Sequence, residues 1–228
     1  LGFYSHPPIM FYALLGLGVY FLFKAYRIYR DQADTQLLLR RSVFFAFAVV
    51  LGLALGAEGT FPLFLYTRTE SKRATGEEAG GKTPEQQLAY ARSWSLHPEE
   101  VASLVVPEFG GYDAPMEGQS NYWGRNPFKI NSEYFGVLAV LLALMILPEF
   151  RRRPQVALLA GIFALALAYM LGQHTPVHWL AFHLLPGAKI QRTIGMGSFV
   201  FAFAGCALAG LGLHRVMEAD EEERAVLR

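Results

Sequence analysis

Cysteine and charge are both scarce in this chain of 228 residues. Cys206 is the single cysteine, so a disulfide within the chain is excluded, and so is a zinc or iron–sulfur site built on cysteine ligands. Because Cys206 lies inside an apolar run, we predict that its small side chain is buried and behaves as an apolar group. Charged residues make up 17% of the chain, against roughly 25% in an average soluble domain. The net charge of +1 leaves no electrostatic footprint for nucleic acid.

Hydrophobic residues, by contrast, make up 53% of the chain and are bunched into long runs. The mean hydropathy is +0.27. Runs of this kind are typical of helices that cross a lipid bilayer. We therefore predict an all-α fold, a polytopic transmembrane helical bundle with about five membrane helices. The predicted spans are about 8–29, 42–64, 133–150, 154–172 and 197–217. The fifth contains glycines that suit close helix packing, at positions 205, 210 and 212.

The second span contains a carboxylate, Glu58, followed by two residues that weaken helices, Gly59 and Pro62. We expect these two residues to break the helix. Two interpretations of Glu58 remain open. Either the helix ends at residue 57 and Glu58 lies at the membrane interface, or the carboxylate lies within the span and faces water or a partner, since a lone charge in lipid is costly.

The distribution of basic residues predicts the orientation of these spans. Segment 24–41 has five Lys and Arg residues and segment 151–153 has three, so both are expected in the cytoplasm. Alternation of the helices then places segments 67–132 and 174–196 outside the cytoplasm and makes 218–228 a cytoplasmic tail. We predict a multi-pass protein of a bacterial cytoplasmic membrane, with the lipid bilayer as its first partner.

Segment 67–132 is predicted to contain short helices. Thr83 followed by Pro84 indicates an N-cap and a first helical residue, which favours a helix from Pro84 to Arg92. Ser95 is a candidate to begin a second helix. The second helix would lie on the membrane surface through an apolar stripe, formed by Leu96, Val101, Leu104 and Val105.

Three histidines fall in segment 174–196: His174, His178 and His183. The first two are four residues apart, which on one helix would place both on one face, as a metal site requires. Pro176 interrupts that pair and no cysteine is near, so we favour an interfacial role and predict no metal site.

Acidic and aromatic residues of segment 92–135 are the candidates for chemistry. Glu99, Glu100 and His97 could act as a base, as in glycosyl or phosphoryl transfer. Cations to bind phosphate are available at Arg92, Arg125, Lys129, Lys189 and Arg192. Aromatic rings to stack on sugars are available at Trp94, Tyr112, Tyr122, Trp123 and Trp179. Alternatively, Ser95, Glu99 and Glu100 cap a short helix, and the aromatic residues are ordinary interfacial anchors.

Several stretches, taken together, resemble the pattern of bacterial YfhO-type membrane proteins. They are HPPIMFYALLGLGVYFLF at 6–23, YTRTESKR at 66–73, SWSLHPEEVASLVVPEFGG at 93–111, YWG at 122–124, SEYFGVLAVLLAL at 132–144 and LGQHTPVHWLAFHLLPGAKIQRTIGM at 171–196. Their order and spacing also match, and the resemblance covers essentially the whole chain.

The resemblance implies similarity to C-type (GT-C) glycosyltransferases. Such enzymes transfer a sugar from a polyprenyl-phosphate carrier at the outer face of the membrane, with a catalytic carboxylate in the first outer loop. That loop is not in this sequence, and because the chain begins with Leu1 we expect the acid to lie upstream. The implied substrate-binding residues are Trp94, Tyr122, Trp123, Lys189 and Arg192, with the lipid-linked sugar's phosphate near the last two. No cofactor is expected, except at most a divalent cation.

Two other functions remain open. The small-residue helices and the missing catalytic loop are compatible with a non-catalytic membrane subunit of a larger respiratory or photosynthetic complex. A carrier or flippase for lipid-linked intermediates would need a charged path, to which only Glu58 points.

Overall fold

The chain is predominantly helical in the computed structural model, which describes residues 7–69, 83–111, 113–114, 119–124, 134–185, 188 and 194–218. It divides into two compact units, Leu1–Gln87 and Leu88–Arg228. The α-helices are α1 Pro7–Arg27, α2 Thr35–Thr69, α3 Pro84–Arg92, α4 Val137–Ile146, α5 Pro154–Met170, α6 Pro176–Leu184 and α7 Ser198–Glu218.

Shorter elements connect these helices. A π-helix, Ile28–Gln32, follows α1, and 3₁₀-helices form at Pro98–Leu104, Leu147–Arg151, Gly172–His174 and Ile194–Gly197. Two strands of two residues each, β1 Asp113–Ala114 and β2 Gln119–Ser120, pair antiparallel with Asp113 opposite Ser120.

The first unit contains α1 and α2, joined by a tight connection. Arg27 forms an ion pair with Asp31 at 2.7 Å across the π-helix, and Ala33 takes the left-handed conformation that ends it, with φ 50°. Asp34 then caps α2, since its Oδ1 accepts a hydrogen bond from the Leu37 backbone N–H at 2.8 Å. The rings of Phe21 and Phe45 stack at 4.2 Å between centroids, which fixes the contact of the two helices.

Helix α2 continues through Gly59 and Pro62 to Thr69, so the prediction that these residues break it is wrong. Proline removes only one backbone hydrogen bond from a helix, whereas irregular backbone in an apolar environment would leave many groups unpaired. The interpretation that the helix ends at residue 57 fails for the same reason. Glu58 is nevertheless exposed and lies next to the end of the most apolar part of the helix, Thr35–Gly59.

Among the described residues, three helical stretches are long and apolar enough to cross a membrane: Phe11–Gln32, Thr35–Gly59 and Ser198–Glu218. Helix α5 is also apolar but has only 17 residues, and α4 has ten before the chain tightens into the 3₁₀-helix Leu147–Arg151. The chain is thus a helical protein of membrane character. The expected count of about five spans goes beyond these three and stays a prediction.

Helix α3 has the bounds predicted from its N-cap, Pro84 to Arg92. The capping box is reciprocal. The Gln86 backbone N–H donates to Thr83 Oγ1 at 3.3 Å, and the Thr83 backbone N–H donates to Gln86 Oε1 at 3.0 Å. Local chemistry is sufficient to start this helix.

In the second unit, α7 packs against α4 and α5 through two of its three glycines. A side chain at Gly212 would overlap the Leu142 backbone of α4, and one at Gly205 would lie 2.5 Å from the ring of Phe135. Gly210 has open space around it. Cys206 is exposed on α7, so the prediction of a buried cysteine is wrong. The helical period puts the buried face of α7 on the neighbouring positions 201, 204, 205, 208, 209 and 212.

Two apolar clusters form the core of this unit. Ile146, Val156 and Leu208 make one, between α4, α5 and α7. The other consists of Leu96, Leu104, Met170 and Phe201, packed against partly buried neighbours that include Phe135 and Phe163. The apolar stripe predicted over residues 96–105 therefore faces protein through Leu96 and Leu104, and the expectation that it faces the membrane surface is wrong for these two residues. Burial against α5 and α7 removes their side chains from any solvent.

Candidate polar site at one end of the helices

Two backbone hydrogen bonds attach the segment around residue 100 to one end of the helices. The Leu96 N–H donates to the Met170 carbonyl at 2.8 Å, at the end of α5, and the Phe135 N–H donates to the Leu104 carbonyl at 3.0 Å, just before α4. The carbonyl of Trp94 approaches Gly195, just before α7. The segment therefore covers the end at which α4 begins, α5 finishes and α7 begins.

The centre of this region is a buried carboxylate, Glu100, of which 1% is exposed. The 3₁₀-helix Pro98–Leu104 begins with His97, and not Ser95, as its N-cap. Glu100 Oε2 accepts a hydrogen bond from the His97 backbone N–H at 3.2 Å, and Oε1 accepts one from the Tyr122 hydroxyl at 2.6 Å. The capping interpretation is therefore confirmed for Glu100, although a helix cap alone would not require this burial.

The loop that carries Tyr122 is held by backbone contacts with residues 109–111. Gly111 has φ +74°, and any side chain there would overlap the Asn121 backbone. The Trp123 N–H donates to the Gly110 carbonyl at 3.2 Å. Gly110 itself is buried, and a Cβ there would lie 3.4 Å from Glu100 Oε1. Two glycines thus allow Tyr122 to reach the carboxylate.

Two histidine rings meet beside Glu100. His174 Nε2 lies 3.4 Å from His97 Nδ1, and the rings are edge-on with centroids 5.4 Å apart. Since a neutral imidazole has one donor and one acceptor nitrogen, this contact can hold a single proton between the rings. His97 is buried and His174 is exposed, so the pair connects the interior of the cluster with its surface.

A second pair lies nearby, between Arg92 and His178. Arg92 Nε donates to His178 Nδ1 at 3.4 Å. Burial of the His178 ring, together with the positive charge of Arg92, lowers the pKa of His178 from 6.5 to about 4. His178 is consequently neutral near pH 7 and carries its proton on Nε2. The Tyr169 ring packs against it at 5.2 Å.

The i, i+4 metal pair that the spacing of His174 and His178 offered does not form. His174 belongs to the 3₁₀-helix Gly172–His174, and Pro176 starts α6 as a separate helix, so the two rings have different partners. Over the described part of the chain, no group of three or more His, Cys, Asp or Glu side chains could hold a metal ion.

Gly172 is a residue of this region that the sequence analysis missed. It has φ +54°, and a Cβ there would lie 2.6 Å from Ser95 Cβ. Ser95 is in turn fixed by a hydrogen bond from its Oγ to the Arg92 carbonyl at 2.8 Å. The signal available in sequence was a glycine directly after the apolar run of α5.

The structure thus brings together four of the chemically important residues, His97, Glu100, Tyr122 and His174, and places Arg92 against His178. Glu99 and Trp123 are exposed and Trp94 is half-buried, while Trp179 is exposed with its ring 4.5 Å from that of His183. The remaining predicted cations and aromatic residues lie outside the described residues: Tyr112, Arg125, Lys129, Lys189 and Arg192.

A different charged cluster lies at the opposite end of the same helices. Glu149 forms two ion pairs. Arg215 Nη1 lies 2.8 Å from Glu149 Oε1, and Arg153 Nε contacts Glu149 Oε2. These residues belong to the 3₁₀-helix after α4, the N-cap of α5 and the last turns of α7.

Comparison of the chain with protein-family models, with curated proteins and with solved structures finds no match.

Proposed function

We propose that this chain is part of a GT-C-like membrane glycosyltransferase of the YfhO type, which uses a polyprenyl-phosphate-linked sugar at the outer face of a bacterial cytoplasmic membrane. The observation that carries the proposal is the polar cluster of His97, Glu100, Tyr122 and His174 at one end of apolar helices. Buried polar groups next to apolar helices are costly unless they have hydrogen-bond partners, and each of these four side chains has a polar partner within the cluster.

The charges at the two ends of the helices support an outer position for the site. Arg151, Arg152, Arg153 and Arg215 lie at the end opposite the polar cluster. Under the positive-inside rule that end is cytoplasmic, so the polar cluster is extracytoplasmic. In this topology α1, α2, α4 with its 3₁₀ continuation, α5 and α7 are the membrane helices, about five in all.

Glycosyl transfer breaks the bond between the anomeric carbon and the donor phosphate, and forms a bond to the acceptor oxygen, whose proton passes to a base. Both oxygens of Glu100 already accept hydrogen bonds, which favours a positioning role for it. The His97–His174 pair is better suited to carry a proton between the site and the surface. Exposed Glu99 stays a candidate base.

Substrate binding is proposed for the residues around this cluster. Trp94 offers a ring face to sugars, and Tyr122 orders the loop that also carries Trp123, whose ring packs against Phe109. Lys189 and Arg192, which lie outside the described residues, are proposed to bind the donor phosphate, as cations do at developing phosphate charge.

The test is a transfer assay with the purified protein in lipid nanodiscs and a radiolabelled polyprenyl-phosphate sugar donor. We expect label to leave the lipid, and His174→Ala and Arg192→Ala to slow its release by roughly tenfold or more. Gln173→Ala, an exposed neighbour of His174, is the matched control and should leave the rate unchanged. Equal rates for all three variants would remove these residues from the site.

A non-catalytic membrane subunit is the second candidate, and one observation favours it. Both carboxylate oxygens of Glu100 are occupied by groups of the same chain, as in a purely structural cluster. Purification in mild detergent distinguishes the two functions. A stable complex with other membrane proteins and no release of sugar from the donor would favour the subunit.

A further inference from the structure

We propose that Val105, Val106, Phe109 and Trp123 form a lipid-binding patch that enters the interfacial layer of the outer leaflet and fixes the depth of the polar cluster. This proposal rests on the outer position proposed above. The four side chains are between 40% and 53% exposed, although they flank the buried Leu104 and Gly110. Water is a poor environment for such a set of large apolar side chains.

The patch is rigid. The rings of Phe109 and Trp123 meet edge to face, with centroids 5.6 Å apart. Local backbone hydrogen bonds hold residues 102–111 in successive turns. The Val106 N–H donates to the Ala102 carbonyl at 2.9 Å, and the Gly111 N–H donates to the Glu108 carbonyl at 2.7 Å. A rigid apolar surface enters a membrane without the entropy cost of ordering a loose loop.

The indole N–H of Trp123 is already satisfied inside the patch, since Nε1 donates to the Phe109 carbonyl at 2.8 Å. An interfacial tryptophan commonly directs this donor towards water or lipid headgroups. Here the ring can enter an apolar layer without leaving a donor unpaired, because the donor has a partner on the protein.

The patch is continuous with a helix surface of the same apolar character. Its first residue follows Leu104, whose carbonyl accepts the Phe135 N–H at 3.0 Å immediately before α4. The exposed residues at the start of α4 are Val137, Leu138 and Leu141. The lipid that surrounds α4 is therefore the nearest apolar phase, which is why we assign lipid, and not a protein partner, as the occupant.

The depth of insertion is limited by Glu108. This residue has φ 53° and is exposed between Val106 and Phe109. A carboxylate is costly in the hydrocarbon core but not at the headgroups. We therefore place the patch in the carbonyl and upper acyl region, as in a monotopic membrane anchor.

The first test uses the Trp94→Phe/Trp179→Phe variant, in which Trp123 is the remaining tryptophan of the three. The variant is placed in nanodiscs whose lipids carry bromine either near the headgroup or near the chain end. We expect Trp123 emission to be quenched several-fold more by the headgroup-proximal bromine than by the distal one, and to resist aqueous iodide. The matched control keeps Trp94 alone, which is half-buried beside the polar cluster and should respond weakly to both lipids.

The second test does not depend on tryptophan. A spin label is attached at Val106→Cys in a Cys206→Ala background and compared with Gln173→Cys in the same background. Position 106 should collide with oxygen several-fold more often than with a water-soluble nickel chelate, and position 173 should show the reverse.

Two outcomes would overturn the proposal. Strong iodide quenching of Trp123 without lipid quenching would place the patch in water. Shielding from both would place it against protein. If the patch contacts lipid and sugar transfer is absent, the lipid-binding patch stands and the proposed transferase function fails. If transfer occurs and Trp123 stays in water, the proposed transferase function stands and the lipid-binding patch fails.

Discussion

Two glutamates, Glu100 and Glu149, lie at opposite ends of α4, α5 and α7, and their surroundings differ in kind. Glu100 is almost wholly buried, and its two oxygens accept hydrogen bonds from a tyrosine hydroxyl and a backbone N–H. Glu149 has a side chain 16% exposed and is bound by two arginines. One end is thus organised by directional hydrogen bonds and the other by charge, so the two ends should respond differently to substitution, pH and salt.

The largest effect is expected from removing the carboxylate of Glu100. Glu100→Ala leaves two donors, the Tyr122 hydroxyl and the His97 N–H, without their acceptor, which should cost about 4 kcal/mol in unfolding free energy at 1–3 kcal/mol for each. Glu99→Ala, at the adjacent exposed position, is the control and should cost far less. The measurement is chemical unfolding in mixed micelles, and comparable losses for the two variants would contradict the burial argument.

Acid should destabilise the hydrogen-bonded end through His178. The pKa of this ring is about 4 in the folded chain and 6.5 when unperturbed, so between these values the unfolded chain binds the additional proton. Stability therefore falls as pH falls through this window, by about 3 kcal/mol at its lower end. His178→Gln should reduce the dependence of stability on pH, whereas His183→Gln, an exposed control, should retain it. An unchanged slope in His178→Gln would show that other groups cause it.

Backbone strain at the same end gives a smaller effect. Gly172→Ala places a Cβ at positive φ and 2.6 Å from Ser95 Cβ, which should cost about 2 kcal/mol. Gly161→Ala, within α5 and with nothing within 4 Å, should be neutral or stabilising by about 0.5 kcal/mol. Thermal unfolding of both variants in detergent tests the difference, and equal midpoints would be inconsistent with a close contact at Gly172.

The smallest effect is expected at the charged end. Glu149→Gln removes the charge that pairs with Arg153 and Arg215, both of which are more than a third exposed, so the loss should be about 1 kcal/mol. High salt should reduce this difference while leaving the effect of Glu100→Ala unchanged. If salt acts equally on both, the distinction between the two ends fails.

Local sequence chemistry accounts for the elements that form from neighbouring residues. The bounds of α3 follow from Thr83 and Pro84, and the apolar runs indicate the long helices. Prediction from sequence failed where tertiary contacts determine how a helix is capped or where it ends. His97 is the N-cap in place of Ser95 because Glu100 reaches back to it, and the apolar environment of α2 overrides Pro62. No local signal pairs Arg92 with His178, which lie 86 positions apart, or Tyr122 with Glu100, 22 apart.

The orientation of the candidate site depends on a similarly non-local feature. The order of charged residues along the chain predicts which end is basic, but only the fold brings Arg215 of α7 to Glu149 beside Arg153. The residues of the polar cluster come from three separate stretches of chain, so their types were predictable and their association was not.

The glycines of α7 set the width of the helix group unevenly. At Gly212 the backbones of α7 and α4 touch directly, whereas at Gly205 the ring of Phe135 stands between them, with Phe163 and Phe201 beside it. Helix α7 therefore meets its neighbours backbone to backbone near the charged end and through three aromatic rings near the polar cluster. The spacing near the polar cluster is therefore set by the size of side chains, whereas near the charged end it is set by the backbone and leaves no room for adjustment.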